Sequence, residues 1–599
     1  MCIRDRIWSL DFAPDGAHAM VELLQKPFSY VVPVGSFGRV TEIWDRSGTR
    51  LAQVSEREMQ TGVDGNLPTA PGVGGEAQEE DRRQVAWRKD GQGLTFLQME
   101  PAPDSAEAEE APEEGERNGR SGRKDRVMQW LPPFDDGSLS VVYENDTRMA
   151  THRFSPDYGI LFASERQGDR VHEFAVFLDD VETRHTLFRW NSEEFYENPG
   201  SLVMVGSLPG GGFGGFGRGD AGASENVLVS ADGEHVFLYG NVYNEDPMEV
   251  APQNFLDRVA IRTGDKERVF AGRNDGIYER IAAILDVDAG EFVVSRESPT
   301  QVDQYYRVAG GQSVQLTENV DYTPDLTNAP KRRFVVERPD GFRFLVNVTL
   351  PQGYQEGTRL PAMFWFYPRE YEDQESYDET ARTYNKNAFD SYGTRSIEYL
   401  VRLGYAVVEP DAPIVGKEGQ MNNNYEHDLR NNLAAVIDEL DARGIIDRKR
   451  LGLGGHSYGA FSTLNAMVHT PFFKAGIAGD GNYNRTFTPL RFQSERRIFW
   501  DAKDTYLSMS PFMFANNLTG AVLLYHGLHD QNVGTDPAHS PRLFHALNGL
   551  GKDAAMYLYP FEDHGPATKE TLLDLWARWT AWLNVHLGDP SEDRTITQN

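Results

Sequence analysis

The alternation of apolar and polar residues along the chain changes near residue 330. Upstream of that point, short apolar runs of strand length are separated by turns, and one type of turn recurs before an apolar strand. Repeated groups of strands joined in this way are typical of a β-propeller, and an array of β-sandwiches is the alternative. The recurring turns span residues 12–16, 87–91, 154–158, 229–233 and 287–290.

Downstream of residue 330, apolar strands alternate with segments whose apolar residues follow helical spacing. One such segment places leucine, valine and isoleucine every three or four positions between residues 429 and 440, which predicts a helix. This βαβα order predicts a mostly parallel sheet that is covered by helices on both faces. Strands are predicted at residues 346–350, 361–367, 405–409, 475–478, 521–525 and 555–559, and further helices at 396–403 and 571–587.

Two insertions in the first part of the chain have low sequence complexity. Residues 101–126 are acidic and then basic, which is typical of a solvated loop. Residues 208–223 are rich in glycine but lack the Gly-Lys-Ser/Thr ending of a phosphate-binding loop. Both insertions are therefore predicted to be surface loops.

The composition narrows the function classes. The chain has 599 residues, which is too long for one core, and its 39% hydrophobic content is typical of a folded protein. A net charge of -32 argues against nucleic acid and anionic membranes as partners. No apolar run reaches about 18 residues, so no transmembrane helix is predicted. The single Cys2 excludes an internal disulfide framework.

The start of the chain gives no prediction of its cellular compartment. Residues 1–6 are charged and lack the apolar core of a signal peptide. Residues 8–12 already follow a strand pattern, so we expect the N-terminus to be truncated. The compartment, whether periplasmic, secreted or cytoplasmic, is accordingly left open.

The candidate chemistry begins at residues 455–459, Gly-His-Ser-Tyr-Gly. An apolar strand precedes this stretch and a helix-compatible segment follows it, which is the context of a G-x-S-x-G nucleophile elbow. In such a turn the central serine, Ser457, stands clear of the sheet. The backbone N–H of Tyr458 then points to where an oxyanion would form.

A serine nucleophile needs a base and an acid that orients the base. On an α/β-hydrolase sheet these follow in the order Ser, Asp or Glu, His. Asp530 and His564 each follow a predicted strand, at the sheet edge where such sites are built. Asp480 is a rival acid. We interpret His526 and His529, which lie in the loop of Asp530, as structural rather than as bases.

Residues 331–599 are thus predicted to form an α/β-hydrolase domain, and residues 1–330 a β-propeller. The chain has no H-E-x-x-H motif, no cysteine pair and no acidic calcium loop of the required spacing. No metal and no cofactor are therefore predicted.

Several stretches of the chain carry a resemblance to a known family. GGHSYGAF, HGLHDQNV and the terminal DHG are similar to motifs of the prolyl oligopeptidase family of serine peptidases. YPREY at 367–371, NYNRTFTPLRFQSE and MSPFMFAN resemble its glutamyl endopeptidase-like branch. The resemblance covers residues 331–587 and extends weakly into the repeats.

The resemblance implies an α/β-hydrolase joined to a propeller of seven blades that restricts access to the cleft. It implies the nucleophile at Ser457, the acid at Asp530 and the base at His564. It also implies an oxyanion-hole hydroxyl at Tyr367 beside the Tyr458 N–H. A contact with the substrate backbone is implied at a further residue, Asn532.

A preference for glutamate at P1, the residue before the cleaved bond, requires a cation that faces the cleft. The loop after the strand at 475–478 carries four arginines, and we favour Arg485 because it is nearest the strand end. The others are Arg491, Arg496 and Arg497.

We therefore expect a serine peptidase that cleaves peptides through an acyl-enzyme, with a preference for Glu at P1. An esterase, or an acylaminoacyl- or dipeptidyl-type peptidase, on the same fold is the first alternative. A non-catalytic propeller that binds a partner is the second. Peptides are the predicted partners, and the oligomeric state is left open.

Overall fold

The computed structural model describes residues 6–28, 34–60, 81–101, 123–208 and 225–588. Of the two insertions predicted to be surface loops, at 101–126 and 208–223, the parts at 102–122 and 209–223 lie outside the described residues. The end of the first was wrongly predicted, because Asp125 and Arg126 belong to the strand Asp125–Trp130 and Asp125 is buried. The chain forms two compact units. The β unit comprises Met1–Asn319 and Arg382–Ala388, and the α/β unit comprises Val320–Ala381 and Phe389–Asn599.

Five four-stranded antiparallel sheets form the described part of the β unit, and in each the strands follow one another in chain order. This meander is the repeated element of a β-propeller. The strands are β1 Ile7–Phe12, β2 His18–Leu24, β3 Arg39–Asp45, β4 Arg50–Arg57, β5 Arg83–Trp87, β6 Leu94–Met99, β7 Asp125–Trp130, β8 Leu139–Asn145, β9 Met149–Phe154, β10 Ile160–Gln167, β11 Arg170–Phe177, β12 Arg184–Asn191, β13 Ser201–Leu202, β14 His235–Val242, β15 Gln253–Ala260, β16 Lys266–Ala271, β17 Tyr278–Asp286, β18 Glu291–Ser298, β19 Gln301–Ala309 and β20 Gln312–Gln315.

The recurring turns of the sequence have one structural role, because each lies between the first and second strand of a sheet. Apolar clusters then join consecutive sheets. Phe96 of the second sheet packs with Ile43 of the first, and Phe162 of the third packs with Leu238 of the fourth. Side chains of alternate strand residues thus face a neighbouring sheet, as in propeller blades.

An eight-stranded sheet is the centre of the α/β unit, in the order β21-β22-β25-β23-β27-β28-β29-β30. From β25 to β30 every neighbouring pair is parallel, and β21 and β22 are antiparallel additions at one edge. The strands are β21 Lys331–Glu337, β22 Arg343–Thr349, β23 Leu360–Trp365, β24 Glu370–Tyr371, β25 Ala406–Pro410, β26 Ile414–Val415, β27 Ile446–His456, β28 Ala475–Gly479, β29 Ala521–Gly527 and β30 Ala554–Tyr559, with β24 and β26 in a separate two-stranded ribbon.

Helices cover both faces of this sheet, as the alternating pattern predicts. One buried cluster takes its α-helical members from α2, α3, α4 and α6, and a second takes its helical members from α1, α7 and the 3-10 turn at Ile397–Leu403. The helices are α1 Pro324–Thr327, α2 Gln374–Arg382, α3 Tyr425–Ala442, α4 Tyr458–His469, α5 Lys503–Ser508, α6 His539–Gly549 and α7 Lys569–Leu587. The fold class predicted from the sequence is confirmed.

The structure differs from the sequence-based picture in three places. The α-helix predicted at 396–403 is a 3-10 helix, which ends at Gly404 with φ 99°. The unit boundary falls between Asn319 and Val320, before the predicted position at 330. Residues 382–388, which the sequence analysis assigned to the hydrolase domain, are part of the β unit.

Candidate active site

Ser457 lies at the turn between β27 and α4, with φ 59° and ψ -119°. This is a left-handed conformation that non-glycine residues rarely adopt, and it persists only where the surroundings hold it. The flanking glycines allow strand and helix to approach. A Cβ on Gly455 would lie 2.4 Å from the carbonyl carbon of Gly459, and a Cβ on Gly459 would lie 2.5 Å from the carbonyl oxygen of Phe366. The motif therefore forms the nucleophile elbow that its spacing predicts.

Three polar side chains from separate loops form one hydrogen-bonded chain at the elbow. Ser457 Oγ lies 2.9 Å from His564 Nε2. His564 Nδ1 lies 2.9 Å from Asp530 Oδ2. Asp530 follows the end of β29 and His564 follows the end of β30, so the parallel sheet brings both loops to the edge that carries Ser457.

The carboxylate of Asp530 is fixed by further donors in its own loop. Its Oδ1 accepts the backbone N–H of Asn532 at 2.8 Å, and its Oδ2 accepts the hydroxyl of Thr535 at 2.9 Å. Burial by itself would raise the pKa of Asp530, but the hydrogen bonds from His526 and His564 outweigh that effect. The pKa therefore lies well below its usual value, and the carboxylate stays charged.

The rival acid and bases have other partners. Asp480 is fully buried and accepts the backbone N–H of Gly527 at 2.8 Å. His526 is also buried, and its ring nitrogens lie 2.8 Å from Ser540 Oγ and 2.8 Å from the carbonyl of Thr535. His529 packs edge-on against Phe561. None of the three side chains has a hydrogen bond to Ser457 in the described part of the chain.

The two residues predicted to supply an oxyanion hole both lie beside Ser457, since Tyr458 follows it in the chain and the Tyr367 ring lies 5.6 Å from the Tyr458 ring. The backbone N–H of Tyr458 belongs to the first residue of α4, where helical N–H groups have no partner within the helix. The Tyr458 phenol donates to Glu370 Oε1 at 2.6 Å, which fixes this residue in place. The hydroxyl of Tyr367 faces the Ser457 side chain, and this interaction lowers the pKa of Tyr367 in part. Tyr367 is 50% exposed as a residue, yet desolvation of its phenol is the larger effect and raises the pKa, so the phenol keeps its proton at neutral pH.

Arg485 is a buried cation beside the elbow. Only 4% of its surface is exposed, and its Nε and Nη1 atoms have no hydrogen-bond partner among the described residues. Its guanidinium lies over the rings of Phe461 and Phe492, at 4.3 and 4.6 Å from their centroids, and 5.4 Å from that of Tyr458. A buried charge without an anionic partner is costly, so this arrangement is suited to receive an anion.

The other predicted substrate contacts are placed differently. Arg491 and Arg496 are exposed, and Arg497 is paired with Glu495 at 2.8 Å. Asn532 is exposed in the loop of Asp530, where its side-chain oxygen accepts the N–H of Gly534 at 3.0 Å. Of the four arginines in the loop, Arg485 is thus the buried one without an anion.

One group of side chains among the described residues could in principle hold a metal ion. The ligand atoms of Asp480, His526 and Asp530 lie within 4.8 Å of one another. Both ring nitrogens of His526 are already engaged, and Asp530 Oδ2 faces His564. We interpret the group as a hydrogen-bonded support for the acid.

Sequence reasoning missed three residues of the site. Thr535 lies 3.1 Å from His564 Nδ1 as well as bonding to the acid. Phe492 covers Arg485, and Gln493 donates to the Tyr367 hydroxyl at 3.1 Å. Each lies in an irregular loop, where no periodicity or motif marks it.

The helices among the described residues include none with the length and apolar character needed to cross a bilayer.

Comparison with known proteins agrees with the serine peptidase motifs found in the sequence. Residues 391–590 match the Prolyl oligopeptidase family. The chain is 29% identical to a probable glutamyl endopeptidase, chloroplastic, of Oryza sativa subsp. japonica, over 96% of this chain and 60% of the relative. It is also 29% identical to the protein of that name in Arabidopsis thaliana, over 96% of this chain and 58% of the relative. This chain therefore spans less than two thirds of these relatives.

A likeness to solved structures supports the fold. The crystal structure of Porphyromonas gingivalis dipeptidyl peptidase 4 matches 97% of this chain and 90% of its own, with 14% sequence identity and a TM-score of 0.51. At this identity the likeness bears on the fold alone.

Proposed function

Since this chain carries a prolyl oligopeptidase family domain, we propose that it is a serine peptidase that cleaves peptide bonds through an acyl-enzyme. The observation that carries the proposal is the chain of hydrogen bonds from Ser457 through His564 to Asp530, both links at 2.9 Å, with the serine held in a left-handed turn. An ordinary buried serine needs neither the strained backbone nor an imidazole oriented by a carboxylate.

The steps follow from the donors and acceptors of each group. His564 takes the Ser457 proton as the hydroxyl oxygen attacks the carbonyl carbon, and Asp530 stabilises the imidazolium. The developing oxyanion is stabilised by the Tyr458 N–H and the Tyr367 hydroxyl. His564 then gives the proton to the leaving amine, and water releases the acyl group by the reverse sequence.

We propose further that the residue before the cleaved bond is glutamate and that Arg485 binds its carboxylate. The support is the buried guanidinium over the rings of Phe461 and Phe492, whose Nε and Nη1 have no hydrogen-bond partner among the described residues. The aromatic rings fit the methylene groups of a glutamate, and the guanidinium provides paired N–H donors for its carboxylate. The names of the plant relatives agree with this specificity.

The deciding experiment maps cleavage sites in a mixed peptide pool by mass spectrometry. We expect internal cleavage after glutamate, and we expect Ser457→Ala to reduce turnover by about 10⁴-fold or more. Release of only terminal residues or dipeptides would favour an aminopeptidase-type enzyme, and hydrolysis of small esters alone would favour an esterase. If a fluorophosphonate probe leaves Ser457 of the folded protein unlabelled, the chain is a binding protein and the peptidase proposal is wrong.

A further inference from the structure

The Tyr367 hydroxyl has a second neighbour that the catalytic scheme does not use. Gln493 Nε2 donates a hydrogen bond to the Tyr367 oxygen at 3.1 Å. A phenol carries one proton, and an oxygen that accepts a hydrogen bond on one side is left to donate on another. The interaction therefore bears on where the Tyr367 proton points.

Gln493 lies in a tight turn that is held from several sides. Phe492 and Glu495 pair with each other through both backbone N–H groups, at 3.3 and 3.2 Å. Arg491 and Gln493 both have positive φ, at 87° and 53°, although neither is glycine. Left-handed backbone at two nearby side-chain-bearing residues is unfavourable, and such strain is found where function requires a particular geometry.

Contacts with neighbouring residues stabilise the unfavourable backbone conformation of this turn. The Arg491 N–H donates to the Tyr506 hydroxyl at 3.2 Å, and buried Glu495 pairs with Arg497. The Phe492 ring fills a space that depends on a glycine, because a Cβ on Gly534 would lie 1.6 Å from that ring. These contacts fix the backbone of the turn that carries Gln493, and the Nε2 of its side chain reaches the Tyr367 hydroxyl from there.

We propose that Gln493 is a positioning residue that orients the Tyr367 hydroxyl for the oxyanion. Its amide occupies an acceptor site of the phenol oxygen, so the phenol proton is directed toward Ser457, where the oxyanion develops. Gln493 itself does not contact the reacting atoms. This inference rests on the proposed peptidase function and adds a residue that tunes its rate.

Two adjacent residues of the turn contact different parts of the site, namely Arg485 and Tyr367. Phe492 covers Arg485, whereas Gln493 contacts Tyr367. Removal of the Gln493 amide should leave the contacts of Phe461 and Phe492 with Arg485 unchanged. We therefore expect the effect in kcat rather than in KM, because an oxyanion donor acts in the transition state.

The test combines two replacements of Gln493 with Tyr367→Phe. Gln493→Leu keeps the size but removes the donor, and we expect kcat to fall about 10-fold with KM changed less than about 2-fold. Gln493→Glu introduces an acceptor that competes for the phenol proton, so we expect a larger fall. In the Tyr367→Phe background, neither replacement should change kcat by more than about 2-fold, since the hydroxyl is absent.

Two further measurements separate positioning from a structural role. The kcat ratio of Gln493→Leu to Gln493→Glu should exceed 1 near neutral pH and fall below 1 as pH falls through about 4, because a protonated carboxyl donates to the phenol as the Gln493 amide does and leucine cannot. The rate of fluorophosphonate labelling of Ser457 should follow the same order as kcat, and it requires no knowledge of the peptide substrate.

The outcomes of this test differ from those of the proposed function. Equal losses with and without the Tyr367 hydroxyl, or no loss at all, would overturn the role of Gln493. A wild-type chain that labels Ser457 but cleaves no peptide would overturn the peptidase proposal, while the labelling rates would still decide on Gln493. If Gln493→Leu does not fold, as judged by circular dichroism, the cycle with Gln493→Glu gives the decision.

Discussion

Arg485 combines two costs that a purely structural residue would avoid. Its charge is buried, and two of its nitrogens have no hydrogen-bond partner among the described residues. The rings of Phe461 and Phe492, which lie against the guanidinium, offset part of this cost through cation–π contact. A buried charge of this kind reduces the stability of the free protein, and the proposed binding of a glutamate carboxylate would compensate for it.

Replacing Arg485 should therefore change activity and stability in opposite directions. We expect Arg485→Leu to reduce kcat/KM for a Glu peptide by about 10²-fold or more, and to leave that of the matching Gln peptide much less affected. We expect its melting temperature to equal or exceed that of the wild type, because a buried unpaired charge is removed. Peptide kinetics and thermal unfolding measure the two effects.

Arg491→Leu is the matched control, since Arg491 is an exposed arginine of the same loop. It should leave both the Glu preference and the melting temperature unchanged. A loss of Glu preference in the control, or none in Arg485→Leu, would contradict the assignment of Arg485.

At the scale of elements, the elbow depends on the approach of α4 to the end of β23. Gly459 lies against the carbonyl of Phe366, which immediately precedes Tyr367, so the packing that holds Ser457 at the turn also sets the position of Tyr367. Strand, turn and helix thus act as one rigid support.

Adding a single methyl group should disrupt that support. In Gly459→Ala the new Cβ would lie 2.5 Å from the Phe366 oxygen, and the clash involves backbone that cannot move cheaply. We expect a loss of about 3 kcal/mol in the free energy of unfolding of the α/β unit, together with reduced labelling of Ser457. Gly549→Ala is the control, because a Cβ there meets nothing within 4 Å and should be neutral or mildly stabilising.

In the β unit, β11 carries a buried carboxyl, Glu173, that is 7% exposed and whose Oε1 has no hydrogen-bond partner within the part of the chain that the structure describes. Burial raises its pKa to about 7, although the charge of Arg153 lowers it in part. The unfolded pKa is about 4.3, so the folded state binds more protons between these values. Stability should therefore fall as pH rises from about 4.3 to about 7, and level off above that.

Glu173→Gln should remove this dependence on pH. The variant should resemble the wild type near pH 4.5 and be more stable at pH 8, by up to about 3 kcal/mol, as measured by urea unfolding of the β unit across that range. Glu182→Gln, at an exposed residue beyond the same strand, is the control and should leave the slope unchanged. A wild-type curve without the fall would show that Glu173 is charged in the folded state.

The elements of the site differ in how far the sequence could reveal them. Ser457, Asp530 and His564 could be predicted because each follows a parallel strand, and parallel strands end at one edge. Chain order allowed Asp480 as well as Asp530, since both lie between Ser457 and His564 and both follow a strand. The structure separates them, because Asp480 accepts the Gly527 N–H whereas Asp530 contacts His564. Gln493 could not be found, because nothing in its neighbours signals a left-handed turn.

The same contrast holds for the elements themselves. The five recurring turns in the sequence correspond to the five sheets, because each turn starts at an apolar residue, continues with small or polar turn residues and leads into an apolar strand. The 3-10 form of Ile397–Leu403 was not predictable, since its apolar spacing also fits an α-helix. The membership of residues 382–388 in the β unit was also missed, because it is made by contacts that are distant in sequence.

At the scale of the whole molecule, the net charge of -32 acts against an acidic substrate before it reaches Arg485. Long-range repulsion slows the approach of a negative peptide, and salt screens it over about 10 Å at 0.1 M. The proposed ion pair between Arg485 and a substrate carboxylate is short-range, and salt screens it less because the guanidinium is buried.

The rate of capture of Glu peptides should consequently rise with salt. We expect kcat/KM for a peptide of net negative charge to increase between about 10 and 150 mM salt, and that of a neutral ester or amide substrate to stay nearly constant. Stopped-flow or initial-rate measurements at several ionic strengths would test this. A decrease with salt for the acidic peptide would mean that a local positive field, rather than the net charge, governs its approach.

The segment 382–388 joins the β unit through its own hydrogen bonds. Lys386 Nζ donates to the carbonyls of Met248 and Glu249, and Asn385 donates to that of Pro252. The polypeptide thus passes from one unit to the other at residues 319–320, returns at 381–382 and leaves again at 388–389. Cleavage of one peptide bond therefore cannot separate the two units, because each is made of more than one stretch of the chain. A fragment that starts at residue 320 would contain the segment 382–388 without the residues of the β unit that it binds. A chimera that joins the α/β unit to a different protein would therefore have to include the carbonyl groups of Met248, Glu249 and Pro252 that the segment 382–388 binds.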